Sequence, residues 1–145
     1  MAIVPANADE ARQWLRKFHE VSDSLDPARL PEVYAEDSIL QYANVPPVQG
    51  LNNLKGFFGP IFEKLELMHH VVSYFDLVGD KIYQACTITY RAKNDPEKEE
   101  IVVPAFGVFH ILPSGDDAGK MKKAEVYIDP SPLMAALARA ESDGP

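Results

Sequence analysis

The sequence is poor in several residue types, and each shortage excludes a class of protein. A single cysteine, Cys86, among 145 residues excludes an intramolecular disulfide framework. Only 14 lysines and arginines stand against 22 aspartates and glutamates, which gives a formal charge of −8 at pH 7. Phosphate backbones and anionic lipid surfaces repel such a chain, so we expect no nucleic-acid partner and no membrane partner. No apolar run approaches the roughly 20 residues that span a bilayer.

Signals for metals, cofactors and export are also missing. The four histidines do not have the spacing with carboxylates that closes a metal shell, and there is no glycine-rich phosphate loop. We therefore expect no metal and no cofactor. The first residues lack the basic flank and long apolar core of a signal peptide, and a lone cysteine is typical of a reducing compartment. These features predict a cytoplasmic protein.

What is present is typical of one globular domain over 1–145, with its core at about 8–135. Hydrophobic residues make up 46% and charged residues 25% of the chain. Asn7 and Glu10 form a variant capping box, and apolar residues at helical spacing predict a helix over 8–22. Asp26-Pro27 predicts a short second helix, because Asp caps and Pro suits the first helical position. The segment 38–42 is predicted to be a strand, and Gly50 precedes a third helix that Pro60 should kink or split.

The apolar period changes at residue 69 from that of a helix to that of strands. The pattern predicts a hairpin, two further strands and a terminal helix or turn, at 71–91, 101–112, 121–129 and 132–140. Helices segregated from a run of antiparallel strands indicate an α+β domain. A sheet this long must curl, so we expect the helices to cover a concave face that encloses a pocket.

Five short segments, taken in order, resemble the SnoaL-like branch of the nuclear transport factor 2-like superfamily. They are LPEVYAEDS at 30–38, PVQG at 47–50, MHHV at 68–71, AFGVF at 105–109 and EVYID at 125–129. The resemblance implies a cone-shaped half-barrel made of a curved, mostly antiparallel sheet, often dimerising through that sheet. Members include polyketide cyclases, dehydratases, epoxide hydrolases, isomerases and non-enzymes, so the fold alone does not define the function.

Three branches of this superfamily differ in their catalytic residues. The limonene epoxide hydrolase pattern needs Asp-Arg-Asp, and the matching positions here are Cys86, Ile88 and Val126. The acid of the SnoaL cyclases also falls on Val126. Scytalone dehydratase is a better partial match, since its functional Asp, strand Tyr and water-binding His fall on Asp23, Tyr42 and His70. Other groups of that site are replaced, by Ser22 on the first helix and by Ala105 and Gly107 or their neighbours on a later strand.

Four polar residues are candidates for the chemistry. His70 can exchange a proton near neutral pH, or be a strand-start histidine bonded to backbone. Tyr42 can donate a hydrogen bond to a carbonyl or enolate oxygen, or be a core tyrosine with its hydroxyl at the rim. Asp23 can orient His70 or cap the second helix. Asn44 can fix a substrate or form the turn before Pro46.

The remaining candidates are expected to line the pocket and contact substrate: Trp14, Phe18, Phe58, Phe62, Cys86, Ile88, Tyr90, Ala105 and Val126. Aromatic residues at helical spacing are equally compatible with an ordinary core. The first functional hypothesis is a cofactor-independent lyase, isomerase or cyclase that uses acid–base chemistry on a hydrophobic, oxygenated small molecule, polyketide- or terpenoid-like. The alternative is a non-catalytic small-molecule-binding or dimeric interaction domain, which the missing acids favour. A homodimer through the sheet is the expected protein partner.

Overall fold

The computed structural model describes residues 2–142, with only the backbone of Ser142. Three α-helices, a 3₁₀-helix and six strands follow one another along the chain. They are α1 (Ala8–Asp23), the 3₁₀-helix (Pro27–Glu32), β1 (Tyr34–Tyr42), β2 (Val48–Gln49), α2 (Leu51–Glu63), β3 (Leu65–Val78), β4 (Lys81–Ala92), β5 (Ile101–Ile111), β6 (Met121–Ile128) and α3 (Ser131–Ser142). Within this part of the chain, no helix is long and apolar enough to cross a membrane.

All six strands belong to one curved, unclosed sheet, in the order β2-β1-β6-β5-β4-β3. Only β1 and β6 are parallel, and every other neighbouring pair is antiparallel. The strand β3 is therefore an edge strand, and α1 packs against it. Helices beside a curved, mostly antiparallel sheet confirm the expected α+β cone.

Local signals account for most element boundaries. Asn7 Oδ1 accepts the Glu10 backbone N–H at 2.9 Å and starts α1, and Asp26 caps the 3₁₀-helix through the Ala28 N–H at 3.0 Å. Pro60 does not split α2, which runs on to Glu63. The hairpin of β3 and β4 turns at Gly79, where φ is +61°.

Two strands begin earlier than their hydrophobic periods predict. The strand β1 begins at Tyr34 rather than Ser38, because Tyr34 already pairs with Met121 of β6, ahead of an irregularity in the register that ends at Ile39. The strand β3 begins at Leu65, because the last residues after α2 already pair with the end of β4. In both cases the partner strand, rather than the local pattern, extends the pairing.

The core lies between the concave face of the sheet and the helices. Its fully buried side chains come from every layer and include Leu15, Leu30, Leu40, Leu54, Leu65, Ile82, Ile111, Met121 and Leu133. At Gly107 a Cβ atom would stand 2.6 Å from Cζ of Phe109, so the glycine leaves room for that ring. The Phe109 ring in turn packs 4.8 Å from the Phe18 ring and fills one end of the cone.

Candidate functional site

A cavity of about 80 Å³ lies on the concave face of the sheet. Strand pairing creates it, because residues opposite one another on neighbouring strands share a face. One such pair is His70 with Ile88, and another is Cys86 with Ala105. Helices α1 and α2 supply aromatic rings on the other side, Phe18, Phe58 and Phe62 among them. A void of about 150 Å³ holds benzene, and this cavity is smaller. A ligand of that size or larger can therefore enter only if the wall of the cavity moves.

The polar centre of the site is His70 with Asp23, which are 47 residues apart in sequence. Asp23 lies at the end of α1, and its Oδ1 is 2.6 Å from His70 Nδ1. Its Oδ2 accepts the backbone N–H of His70 at 3.1 Å, so the carboxylate also binds the open edge of β3. Asp23 therefore orients His70. The capping of the 3₁₀-helix, which was the alternative role for Asp23, is performed by Asp26.

The contact with Asp23 determines which nitrogen of His70 is left for chemistry. A carboxylate beside Nδ1 favours the tautomer with the proton on Nδ1. Nε2 then carries the lone pair, and the hydrogen bonds of His70 within residues 2–142 are made through Nδ1 and the backbone N–H. His70 lines the cavity, whereas Asp23 lies outside the lining. The arrangement is a base oriented from behind by a carboxylate.

Sequence reasoning missed His19 and Gln84, which stand beside this pair. The His19 ring stacks on the His70 ring, with centroids 4.5 Å apart and 20° between planes. His19 Nε2 is 2.9 Å from Gln84 Oε1, and both side chains are buried. Burial, reinforced by the proximity of His70, lowers the pKa of His19 to about 4, so this imidazole is neutral at pH 7. The sequence did contain a signal for His19, because it precedes Asp23 by one helical turn and so lies on the same face of α1.

Two tyrosines from different strands line the cavity. Tyr42 comes from β1 and Tyr90 from β4, and each side chain affects the pKa of the other. Burial raises the pKa of Tyr42, and the nearby Tyr90 hydroxyl opposes that rise. Burial is also the main cause that raises the pKa of Tyr90. Both groups therefore stay protonated at neutral pH and can donate to a ligand oxygen.

Most of the residues expected to contact substrate do surround this cavity. They are Phe18, Phe58, Phe62, Cys86, Ile88, Tyr90, Ala105 and Val126, together with Tyr42 and His70. Burial raises the pKa of the Cys86 thiol to about 11, with a smaller contribution from the Asp23 charge. A protonated thiol is a poor nucleophile, so Cys86 forms wall rather than reactive centre.

The structure corrects the positions of Trp14 and Asn44. The Trp14 indole N–H donates to the Gly119 carbonyl at 2.7 Å, and its ring stacks on Phe18. Phe18 and Phe109 line the cavity, whereas Trp14, which packs against both rings, lies outside its lining. Asn44 is exposed in the turn that follows β1, also outside the lining. Asn44 therefore takes the turn position that was its alternative.

The chemistry of the site is that of proton transfer in apolar surroundings. The strand positions that carry acids in some relatives hold no acid in this cavity. They are Cys86, Ile88 and Val126. No group of three or more His, Cys, Asp or Glu residues that could hold a metal ion occurs in the described chain. The polar residues that line the cavity are two histidines, three tyrosines, Gln84 and Ser22, the tyrosines being Tyr34, Tyr42 and Tyr90.

Comparison with known proteins identifies the family. The sequence pattern of the SnoaL-like domain matches residues 15–117, more than half of the chain. The chain belongs to the SnoaL-like domain family. This SnoaL-like chain matches no curated protein. The match confirms the SnoaL-like resemblance, and its range contains four of the five sequence segments, all but the one at 125–129.

Solved structures agree with the fold at low identity. A putative SnoaL-like polyketide cyclase from Jannaschia sp. CCS1 is 16% identical, with a TM-score of 0.69 over 92% of each chain. The epoxide hydrolase/cyclase-like enzyme SalBIII, of pyran ring formation in the polyether salinomycin, is 13% identical with a TM-score of 0.70, covering 85% of this chain and 93% of its own. An epoxide hydrolase of the LEH-like type from M. tuberculosis is 12% identical, with a TM-score of 0.65 over 90% of each chain.

Proposed function

We propose that this SnoaL-like chain is a cofactor-independent lyase, isomerase or cyclase for a hydrophobic, oxygenated small molecule of polyketide- or terpenoid-like character. The observation that carries the proposal is the His70–Asp23 pair, because His70 lines an apolar cavity and its contact with Asp23 is made through Nδ1. A base held by a carboxylate in water-poor surroundings is suited to removing a proton from carbon. Similarity to structures described as cyclases and epoxide hydrolase/cyclase-like enzymes supports this reaction class.

The reaction begins when His70 Nε2 takes a proton from a carbon next to a carbonyl group. The C–H electron pair moves into the new carbon–carbon double bond, and the carbonyl π electrons move onto oxygen. Asp23 stabilises the imidazolium through Nδ1–H, and the Tyr42 and Tyr90 hydroxyls donate to the enolate oxygen. Return of the proton to another carbon completes an isomerisation, and its transfer to a departing hydroxyl group completes a dehydration.

The test measures the proton-abstraction step without the natural substrate. A panel of small β,γ-unsaturated and β-keto compounds is incubated in D₂O, and deuterium uptake at the α-carbon is followed by NMR. We expect His70→Ala to lower the catalysed exchange by about 10²–10⁴-fold, the usual contribution of a positioned acid–base group. Asp23→Asn should also slow exchange, since an amide cannot stabilise the imidazolium.

The matched control is His69→Ala. His69 neighbours His70 on the same strand, but its side chain is 62% exposed and its Nδ1 is 3.8 Å from Asp23. Exchange at the wild-type rate in His69→Ala, with loss in His70→Ala, assigns the base. An unchanged rate in His70→Ala contradicts the proposal.

The alternative function is non-catalytic binding of a small molecule. It is favoured by the side chains of Cys86, Ile88 and Val126, which stand where the epoxide hydrolase pattern needs Asp, Arg and Asp. In that case compounds from the panel bind but are recovered without deuterium. We also propose that the protein works in the cytoplasm without metal or cofactor, in keeping with its single buried cysteine.

A further inference from the structure

One buried polar side chain that lines the cavity, Gln84, has no part in the proposed reaction. It lies on β4 and is 2% exposed. Its nearest neighbours on the same face of the strand, Ile82 and Cys86, are buried as well. A buried amide costs free energy unless its polar atoms are bonded. What the two ends of this amide contact therefore indicates its role.

The carbonyl end of the amide is bound by His19. Gln84 Oε1 is 2.9 Å from His19 Nε2, and burial lowers the pKa of His19 to about 4, so its imidazole carries a single N–H at pH 7. His19 Nδ1 is buried without a partner in the described chain. A buried N–H without an acceptor is rarer than a buried lone pair without a donor, so the proton belongs on Nε2, which donates to Oε1. The amide nitrogen of Gln84 is therefore turned away from His19.

The nitrogen end of the amide is left for a ligand. Within residues 2–142, the side-chain hydrogen bond of Gln84 is made through Oε1. Among the described residues, the fully enclosed side-chain nitrogen and oxygen atoms without a partner are His19 Nδ1 and Ser38 Oγ. Gln84 Nε2 is not one of them, so it keeps open surface, and the space that this side chain lines is the cavity. The nitrogen supplies two N–H donors.

Gln84 stands in the deepest row of the cavity. Strand pairing places Gly107 and then Val126 beside it, and Tyr42 at the end of the same row. All four residues line the cavity. The next row, toward the turn between β3 and β4, is packed solid, with each side chain at most 2% exposed: Ile82, Phe109, Ala124 and Leu40. Gln84 and Tyr42 therefore place hydrogen-bond donors at the two ends of the cavity floor.

The floor of the cavity suits an uncharged ligand group. No Asp, Glu, Lys or Arg residue of the described chain lines the cavity. An anion would lose its hydration there without gaining a cation, whereas a carbonyl, ether or hydroxyl oxygen needs only a donor. The base is close to the amide, because the His19 ring that binds Gln84 also stacks on the His70 ring, with centroids 4.5 Å apart. One imidazole ring thus separates the amide from the base.

We propose that Gln84 determines substrate specificity by donating a hydrogen bond from Nε2 to a neutral acceptor oxygen at the floor of the cavity. The substrate then carries two oxygen functions. One is the carbonyl group next to the carbon that loses its proton, and the other is a second uncharged oxygen a few bonds away. The description of the ligand as a substrate rests on the proposed function, whereas the hydrogen bond from Gln84 does not.

The test compares two ring ketones that differ in one oxygen. Cyclohexane-1,4-dione has two carbonyl groups, and 4-methylidenecyclohexan-1-one has a C=CH₂ group in place of one of them. NMR titrations give the dissociation constant of each compound for the wild-type protein and for Gln84→Met, which replaces the amide by an apolar side chain of similar length. We expect the preference for the dione, measured as the ratio of the two constants, to fall by about tenfold in Gln84→Met, because one carbonyl loses its donor. An unchanged ratio would overturn the proposal.

Gln41→Met is the matched control, because it makes the same substitution elsewhere in the sheet. Gln41 Nε2 donates to the carbonyl groups of Ala43 and Val45 at 3.1 and 2.8 Å, and Gln41 lies outside the cavity lining. The ratio should stay within twofold of the wild-type value. An equal fall in both variants would mean that the preference responds to a general change in the protein, and this result would also overturn the proposal.

A second readout uses the wild-type protein, since Gln84→Met leaves the His19 N–H without its acceptor and the variant can fail to fold. In ¹⁵N-labelled protein, saturating dione should move the side-chain amide proton resonances of Gln84 downfield, as a new hydrogen bond does, and leave those of Gln41 in place. Unmoved Gln84 resonances would contradict the proposed hydrogen bond.

Deuterium exchange into the dione in D₂O separates this inference from the proposed function. Exchange that depends on His70, together with a ratio that does not depend on Gln84, overturns the inference alone. A ratio that depends on Gln84, without catalysed exchange, contradicts the proposed reaction and supports the hydrogen bond from Gln84.

Discussion

At the scale of single residues, His19 is the most unusual group near the site. Its ring lies between the buried amide of Gln84 and the face of His70, and its Nδ1 has no partner among the described residues. Desolvation lowers its pKa to about 4, so the folded protein resists protonating it. The unfolded chain protonates the same imidazole near pH 6.5.

This difference predicts an acid-dependent loss of stability. Between pH 6.5 and 4 the unfolded state binds a proton that the folded state refuses, so the free energy of unfolding falls by about 3 kcal/mol as the pH drops. His19→Gln retains a donor toward Gln84 and cannot titrate, so that part of the loss should vanish. Urea denaturation at pH 7 and pH 4 measures it, with His69→Gln as the exposed control. Equal losses in wild type and His19→Gln would show that His19 is not responsible.

At the scale of elements, one arginine attaches the C-terminal helix α3 to the loop after β4. Arg139 donates to both oxygens of Asp95, at 2.9 and 2.8 Å, and also contacts Glu97 and Glu99. These bonds hold the pKa of Asp95 well below its usual range. Leu133 of the same helix lines the cavity, so the attachment of α3 affects one wall of the site.

We expect Arg139→Gln to lower the thermal midpoint at pH 7 and to speed amide hydrogen exchange in α3, because three carboxylates lose their shared cation. Since the pKa of Asp95 is depressed by folding, its contribution is present above about pH 4 and is lost as the pH falls below that value. The gap between wild type and variant should therefore shrink at pH 3. Melting curves at both pH values test this.

Lys64→Gln is a matched comparison for that experiment. Its ion pair with Glu141 also links α3 to the rest of the chain, but the two side chains are 47% and 61% exposed. Exposed pairs contribute little to stability, so this variant should melt close to wild type. Equal losses of stability in Arg139→Gln and Lys64→Gln would show that the Asp95 contact stabilises the protein no more than an exposed ion pair does.

At the scale of the whole molecule, the convex face of the sheet carries exposed apolar side chains. Val71 and Tyr74 of β3, Val102 of β5 and Tyr127 of β6 are 53–66% exposed. Strand pairing places them on the face opposite the cavity. Such a surface favours association, and we propose that two copies pack through it as a homodimer.

Light scattering tests this assembly. The wild-type protein should have the mass of two chains, and Val102→Asp should have the mass of one, because symmetry brings buried charges of the same sign together. Ile3→Asp, which changes an exposed apolar residue outside the sheet, should remain dimeric. A monomeric wild-type protein at working concentration would contradict the proposal.

The three scales also differ in how far the sequence alone predicts them. Helix α1 and the hairpin agree with local patterns because capping residues and turn glycines act over a few positions. The starts of β1 and β3 do not, since distant partner strands extend them. At the site, the contact of Asp23 with His70 was suggested only by family resemblance. Gln84 had no local signal, because its role depends on a helix 65 residues away.

The parallel pairing of β1 with β6 limits how early the fold can assemble while the chain is being synthesised. Tyr42 of β1 pairs with Val126 of β6, and the strands β2 to β5 lie between them in sequence. Until β6 has been synthesised, β1 has only the two residues of β2 as a strand partner and is not joined to β5, β4 and β3. Contacts that span so much of the chain form slowly. The cavity therefore cannot form until β6 has been synthesised, and a chain stopped before β6 cannot assemble it.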